Sequence, residues 1–167
     1  MRNIFLTVLS IFCITTLVNA QKNPNVIIIY TDDQATLDVN MLGAKDLVTP
    51  HMDQLMLSGT TFTQFYASPV CSPSRASLLT GKNPQRAGVP GNAGQDLSRK
   101  SGLPPSEYTM AEMFKENGYN TYLIGKWHLG YQPEMRPNQQ GFDYSFGHLV
   151  GCIDNYSHFY YWGGDNN

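Results

Sequence analysis

Cys71-Ser72-Pro73-Ser74-Arg75-Ala76-Ser77-Leu78-Leu79-Thr80-Gly81-Lys82 is the run around which the chain is organised. It reads as a loop that turns into a helix. Pro73 presets φ for a first helical turn. Ser72 is placed to act as N-cap, and residues 76–79 are compatible with helix. Gly81 supplies the stop just past the helix end. Cys71 then sits at a helix N-terminus, where free N–H groups and the helix dipole favour anions. Arg75, one turn on, adds a fixed positive charge. By physics alone, the run also describes a helix start with a half-buried free thiol.

Upstream, residues 25–31 (Asn-Val-Ile-Ile-Ile-Tyr-Thr) form an unbroken β-branched run. That pattern predicts a strand buried on both faces of a parallel sheet. It ends in Asp32-Asp33, and sites in open α/β sheets lie beyond the carboxyl ends of strands. Adjacent carboxylates repel unless a cation lies between them, and Ca²⁺ suits such oxygen ligands. A polar turn after a strand is the alternative. Residues 49–59 predict a helix with Thr49 as N-cap, Pro50 first, Gly59 last, and Leu55 with its neighbouring methionines facing the core. His51 reads as a surface residue. Residues 60–66 predict a strand leading into the Cys71 loop.

Downstream, residues 83–105 are rich in Gly, Pro, Asn and Ser and predict a long loop. Arg86 within it reads as exposed. Thr109 and Glu112 make a capping box that opens a helix through Asn117, stopped by Gly118. Residues 120–124 predict a second core strand, and helix, turn and strand in succession signal an α/β layer fold. That strand leads into Gly125-Lys126-Trp127-His128-Leu129-Gly130. Lys126 and His128 are two apart, so in an extended segment they point the same way. A cation and an imidazole on one face suit an anionic group in transfer; a solvated strand end is the plain alternative.

The chain has 167 residues, 14% of them charged, with formal net charge -2. This gives no basic patch for nucleic acid and no sign of disorder. Aromatic residues gather at Tyr156, Phe159, Tyr160, Tyr161 and Trp162, a composition that suits a core or stacking on sugars. Residues 1–20 read as a signal peptide: Arg2 is positive, an apolar stretch follows, and Val18-Asn19-Ala20 offers a cleavage site. The apolar stretch is shorter than the ~20 residues of a spanning helix, so no stable membrane span is expected. Export to periplasm or exterior follows, with residues 21–167 as the mature chain. Cys71 and Cys152 remain after cleavage.

The run from Cys71 to Gly81 resembles the sulfatase signature, Cys-x-Pro-Ser-Arg followed by four residues and Thr-Gly, with every specified position matched. The Asp32-Asp33 opening and Gly125 to Gly130 resemble sulfatases too, in the expected order. Gly141 to His158 resembles the region that continues these enzymes, with Ser157 and His158 bordering a substrate pocket. The resemblance implies an α/β, alkaline-phosphatase-like sandwich with a mixed, largely parallel sheet flanked by helices. The chain would be the N-terminal portion, since members of this type are longer and complete their site further on. Asp154-Asn155 and Asp165-Asn166 follow no buried strand and are not expected to be the later metal-binding pair.

By the same resemblance, a formylglycine-generating or anaerobic sulfatase-maturating enzyme converts Cys71 to formylglycine, which removes it from any disulfide and leaves Cys152 as a buried thiol. Asp32, Asp33 and residue 71 would hold one Ca²⁺. The hydrated aldehyde would attack sulfur, Arg75 would orient it, Lys126 would stabilise charge, and His128 would accept a proton to release sulfate. The implied substrate is a sulfated small molecule or saccharide. Phosphonate or phosphate monoester hydrolysis on the same fold, and an inactive truncated remnant, are the rival expectations.

Overall fold

A computed structural model describes residues 23–94, 101–154 and 156–159. The expected signal peptide lies outside the described residues, as do Tyr160, Tyr161 and Trp162. Three α-helices and two strands stand among the described residues: α1 (Pro50–Ser58), α2 (Cys71–Thr80), α3 (Met110–Glu116), β1 (Tyr122–Lys126) and β2 (Tyr144–His148). β1 and β2 pair in parallel, in register from Tyr122 opposite Tyr144 to Lys126 opposite His148.

A parallel pair needs a crossover of a dozen residues or more. Residues 127–143 supply it, with 3-10 turns at Pro133–Met135 and Pro137–Gln139. Side chains hold this crossover down. Thr121 Oγ1 donates to Gly141 O at 2.6 Å, and Thr109 Oγ1 to Gln140 O at 2.9 Å. Gly141 is needed because its backbone, at φ 93°, lies against the first turn of α3, where a Cβ would collide with the Glu112 backbone nitrogen. The core lies between the sheet and the two later helices. It joins Ala76 and Leu79 of α2, Ala111 of α3, and Trp127, Leu129 and Phe142 of the crossover. Trp127 is 1% exposed; its Nε1 donates to Met135 O, and Phe142 meets its ring edge-on.

The capping box forms as expected: Thr109 N donates to Glu112 Oε2 at 2.7 Å, and Glu112 N to Thr109 Oγ1 at 3.2 Å. Gly81 and Gly118 take the expected left-handed stops. The loop over 83–105 is more than a connector. Ala87, Val89 and Leu103 are buried in the core, and Leu103 N donates to Leu129 O. Arg86 is exposed, as its sequence suggests.

Several expectations are corrected. Residues 25–31 form no strand, because among the described residues β1 pairs with β2 alone. Val26, Ile27, Ile28 and Tyr30 line a cavity beside β1, although Ile27, like Ile29, is largely exposed. A β-branched run supplies propensity; a neighbouring backbone makes the strand. Residues 60–66 are not a strand for the same reason, and Phe62, Phe65 and Tyr66 are exposed. α1 forms where expected but buries no residue, and Leu55 faces solvent. The second strand is shifted two residues, so Lys126 is its last member rather than a residue beyond its end.

Candidate active site

α2 begins at Cys71, with Val70 as N-cap. Ser72 is therefore not the cap, a correction with a visible cause. Its side chain is buried, and its Oγ donates to His128 O at 2.6 Å and accepts from Ala93 N at 2.9 Å. Asn92 does the capping from the neighbouring loop, its Oδ1 accepting from Ser72 N at 3.2 Å. One serine thus ties the first turn of α2 to the residue after Trp127.

Lys126 reaches from the end of β1 to the start of α2. Its Nζ lies 3.1 Å from Cys71 Sγ and 2.8 Å from Asp32 Oδ2, and Cys71 Sγ lies 3.8 Å from Asp32 Oδ1. Three residues far apart in sequence thus form one polar cluster. Arg75 braces it. Its Nη1 donates to Lys126 O at 2.6 Å, and its guanidinium stacks 5.4 Å from the centre of the Tyr30 ring. Tyr30 OH in turn hydrogen-bonds Ser74 Oγ. Arg75 Nε is buried with no partner.

Burial alone would raise the Asp32 carboxyl, but the hydrogen bond and charge of Lys126, helped by Arg75, hold it below the usual carboxylate range. Burial would lower the Lys126 ammonium, but hydrogen bonds to Asp32 and Cys71 hold it above its ordinary value. Each group keeps the other charged. His128 is 7% exposed, and burial, then the charges of Lys126 and Arg75, push it down to about 4. It is neutral at neutral pH and free to accept a proton.

Two expected placements change. His128 takes φ 54°, so the extended alternation that would align it with Lys126 stops at Trp127. Asp33 also turns left-handed, at φ 55°, and is joined to Cys71 or Lys126 by no hydrogen bond among the described residues. Asp32 and Cys71 are close, but no group of three metal-ligating side chains forms among the described residues. Ca²⁺ takes 6–8 oxygens. Two carboxylates, one of them engaged by Lys126, do not make that site. Cys71 and Cys152 are both free thiols; Cys152 is exposed rather than buried, on the surface segment after β2. Ser157 and His158 are exposed, and Ser157 N with Tyr156 N donates to Asp154 Oδ1, so this aspartate caps a turn.

Sequence reasoning missed Tyr30, Asn92, Ser72 as a bridge, and His148. His148 pairs with Lys126 across the ladder and shares its cavity with Asp32 and Arg75. Burial, then Lys126 and Arg75, lower its pKa despite a bond to Val150 O. The in-register parallel pairing that brings it there is not a local signal.

The family model described as Sulfatase matches residues 24–165. The chain is 43% identical over 155 residues to arylsulfatase G of Homo sapiens, covering 90% of this chain and 29% of that protein. It is 38% identical to N-acetylgalactosamine-6-sulfatase of Rattus norvegicus, covering 77% of this chain and 26% of that protein. The crystal structure of Ps i-CgsB superposes with TM-score 0.75 at 39% identity, over 80% of this chain and 30% of that one. The same protein in complex with k-i-k-neocarrahexaose gives TM-score 0.69. The chain thus spans less than a third of the length of these relatives. Its architecture is a partial α/β domain of the alkaline-phosphatase-like fold. No helix among the described residues is long and apolar enough to cross a membrane.

Proposed function

This chain belongs to the sulfatase family, and on that premise we propose that residues 21–167 are the N-terminal part of a catalytic domain that hydrolyses sulfate esters of carbohydrate. The observation that carries the reading is Cys71 at the first residue of α2 with the Lys126 ammonium 3.1 Å away. The Sγ atom marks where the side-chain oxygen of formylglycine would stand. When present, that group supplies a nucleophilic oxygen and a second hydroxyl through which sulfate is released.

The residues of the chain do the rest. Lys126, held protonated by Asp32, donates a hydrogen bond to the oxygen at position 71 or to the sulfate, and steadies charge that grows in the transition state. Arg75 fixes the Lys126 backbone and adds positive potential for an anionic ester. His128, neutral at working pH, accepts the proton whose loss releases sulfate. Asp32, Asp33 and residue 71 would contribute to a Ca²⁺ site, which needs further oxygens beside them. Sulfated saccharides are favoured because a solved relative is complexed with k-i-k-neocarrahexaose. A formylglycine-generating or anaerobic maturating enzyme is the partner at Cys71, and export through residues 1–20 places the protein in periplasm or exterior.

Mass spectrometry of the peptide containing Cys71 tests the nucleophile. Conversion of thiol to aldehyde lowers its mass by about 18 Da; intact thiol from a host with an active maturase would sink the reading. Competition between sulfate and phosphate monoesters tests the reaction class, with sulfate expected to win. N-terminal sequencing of secreted protein should begin at Gln21.

A further inference from the structure

His128 is clamped through its backbone, while its ring has one backbone partner, Ala93, and a free Nδ1. Its N–H donates to Leu149 O at 3.2 Å, Trp127 N donates to His148 O at 2.9 Å, and Ser72 Oγ binds its carbonyl from the other side. Two backbone hydrogen bonds therefore follow the last ladder pair, Lys126 opposite His148, and carry the tie between the two chain segments to His128. The imidazole, by contrast, is buried with Nδ1 unpartnered. The Ala93 backbone holds one point of the ring, and packing must fix the rest of its orientation.

The packing comes from residue 151. A Cβ there would lie 2.7 Å from His128 Cε1, 2.8 Å from Nε2 and 3.3 Å from Nδ1. These distances are below ordinary van der Waals contact, so only a bare backbone fits against the ring. The segment is itself held in place, because His148 Nδ1 donates to Val150 O at 3.0 Å.

We propose that Gly151 is a positioning residue for His128: the 149–151 segment seats the imidazole with its bare backbone, and any side chain at 151 unseats it. The proposal rests on the reading of His128 as proton acceptor for its consequence, though not for the contact itself. No hydrogen bond at Nδ1 competes with the seat.

A double-mutant cycle on the full chain tests the contact. Gly151→Ala should lower Tm by about 5 °C, the usual scale for overpacking. In a His128→Ala background the same change should lower it by under about 1 °C, because the methyl enters the space the ring leaves. Equal losses in both backgrounds would overturn the proposal. Should Gly151→Ala fail to fold, folding of the double variant supports it, and failure of the double variant overturns it.

The second readout is turnover of a sulfate ester. Gly151→Ala should cut kcat about 10²-fold, the scale of a misplaced catalytic group, with KM little changed. Coupled melting with unchanged kcat would overturn the positioning role. Coupled melting in a protein that hydrolyses no sulfate ester in any form would leave the seat standing and remove the functional reading instead.

Discussion

Residues 71–148 and residues 23–66 hold similar side chains in opposite ways. The later region buries Trp127, Leu103 and Leu129 almost completely. The earlier region leaves Ile27, Ile29, Leu55, Leu57 and Phe65 more than half exposed. Its attachment at the site is polar and comes at one point: Tyr30 under Arg75 and on Ser74, then Asp32 on Lys126. The comparison teaches that the candidate site is built across a boundary. Cys71, Lys126 and His128 belong to a packed body, while Asp32 arrives on an arm fastened by charge. Solvent-exposed ion pairs contribute roughly 0–1 kcal/mol. This one is half-sheltered: the Lys126 side chain is 9% exposed, against 48% for Asp32.

The largest effect expected within the packed body is chemical. His128→Ala should lower kcat by about 10²–10⁴-fold in any form that hydrolyses a sulfate ester, with circular dichroism unchanged. An unchanged kcat would break the reading of His128 as proton acceptor. Next comes Trp127→Ala, which should cost about 3–5 kcal/mol of stability by urea titration.

The pH dependence follows from His128. Its folded pKa lies near 4, below the unfolded 6.5. Between those values the unfolded chain binds a proton that the folded chain refuses, so stability is full above pH 6.5 and falls as pH drops toward 4. Urea midpoints at pH 7, 5.5 and 4.5 should show that slope, and His128→Gln should flatten it. Asp32 adds a second, lower window. Its pair with Lys126 is intact above the ordinary carboxylate value and is lost as pH falls through the depressed folded one.

Lys126→Met should release the arm without melting the body. Amide exchange over residues 26–32 should quicken several-fold, while that of Leu123 and Ile124 stays slow. Parallel quickening in both would erase the boundary. The smallest effect belongs to the arm's own surface: Ile29→Thr should shift stability by less than about 0.5 kcal/mol.

What sequence made legible tracks this boundary. Helix α2, the capping box at Thr109 and Glu112, and the stops at Gly81 and Gly118 depend on short-range chemistry, whereas the approach of Lys126 to Cys71 and Arg75 is long-range and is legible only through the resemblance of their motifs. The failures depend on a neighbour that sequence does not name. Residues 25–31 have the composition of a central strand and lack the adjoining backbone. Ser72 looks like a cap and is instead a bridge to His128, because Asn92 arrives from a loop twenty residues away. The left-handed turn at His128 has no local signal, since nothing in Lys-Trp-His-Leu-Gly announces a positive φ at a residue other than glycine.

The bond from Lys126 to Asp32 joins residues 94 apart, whereas the one from Thr121 to Asp143 joins residues 22 apart. Loop closure costs (3/2)RT ln n, so the longer closure is disfavoured by about 1.3 kcal/mol, close to a tenfold lower encounter probability. A chain that folds under this rule forms its crossover and ladder first and docks its first aspartate last. The site therefore has a chronology: position 71 stands beside Lys126 for an interval during which no carboxylate has yet arrived to offset the lysine's charge.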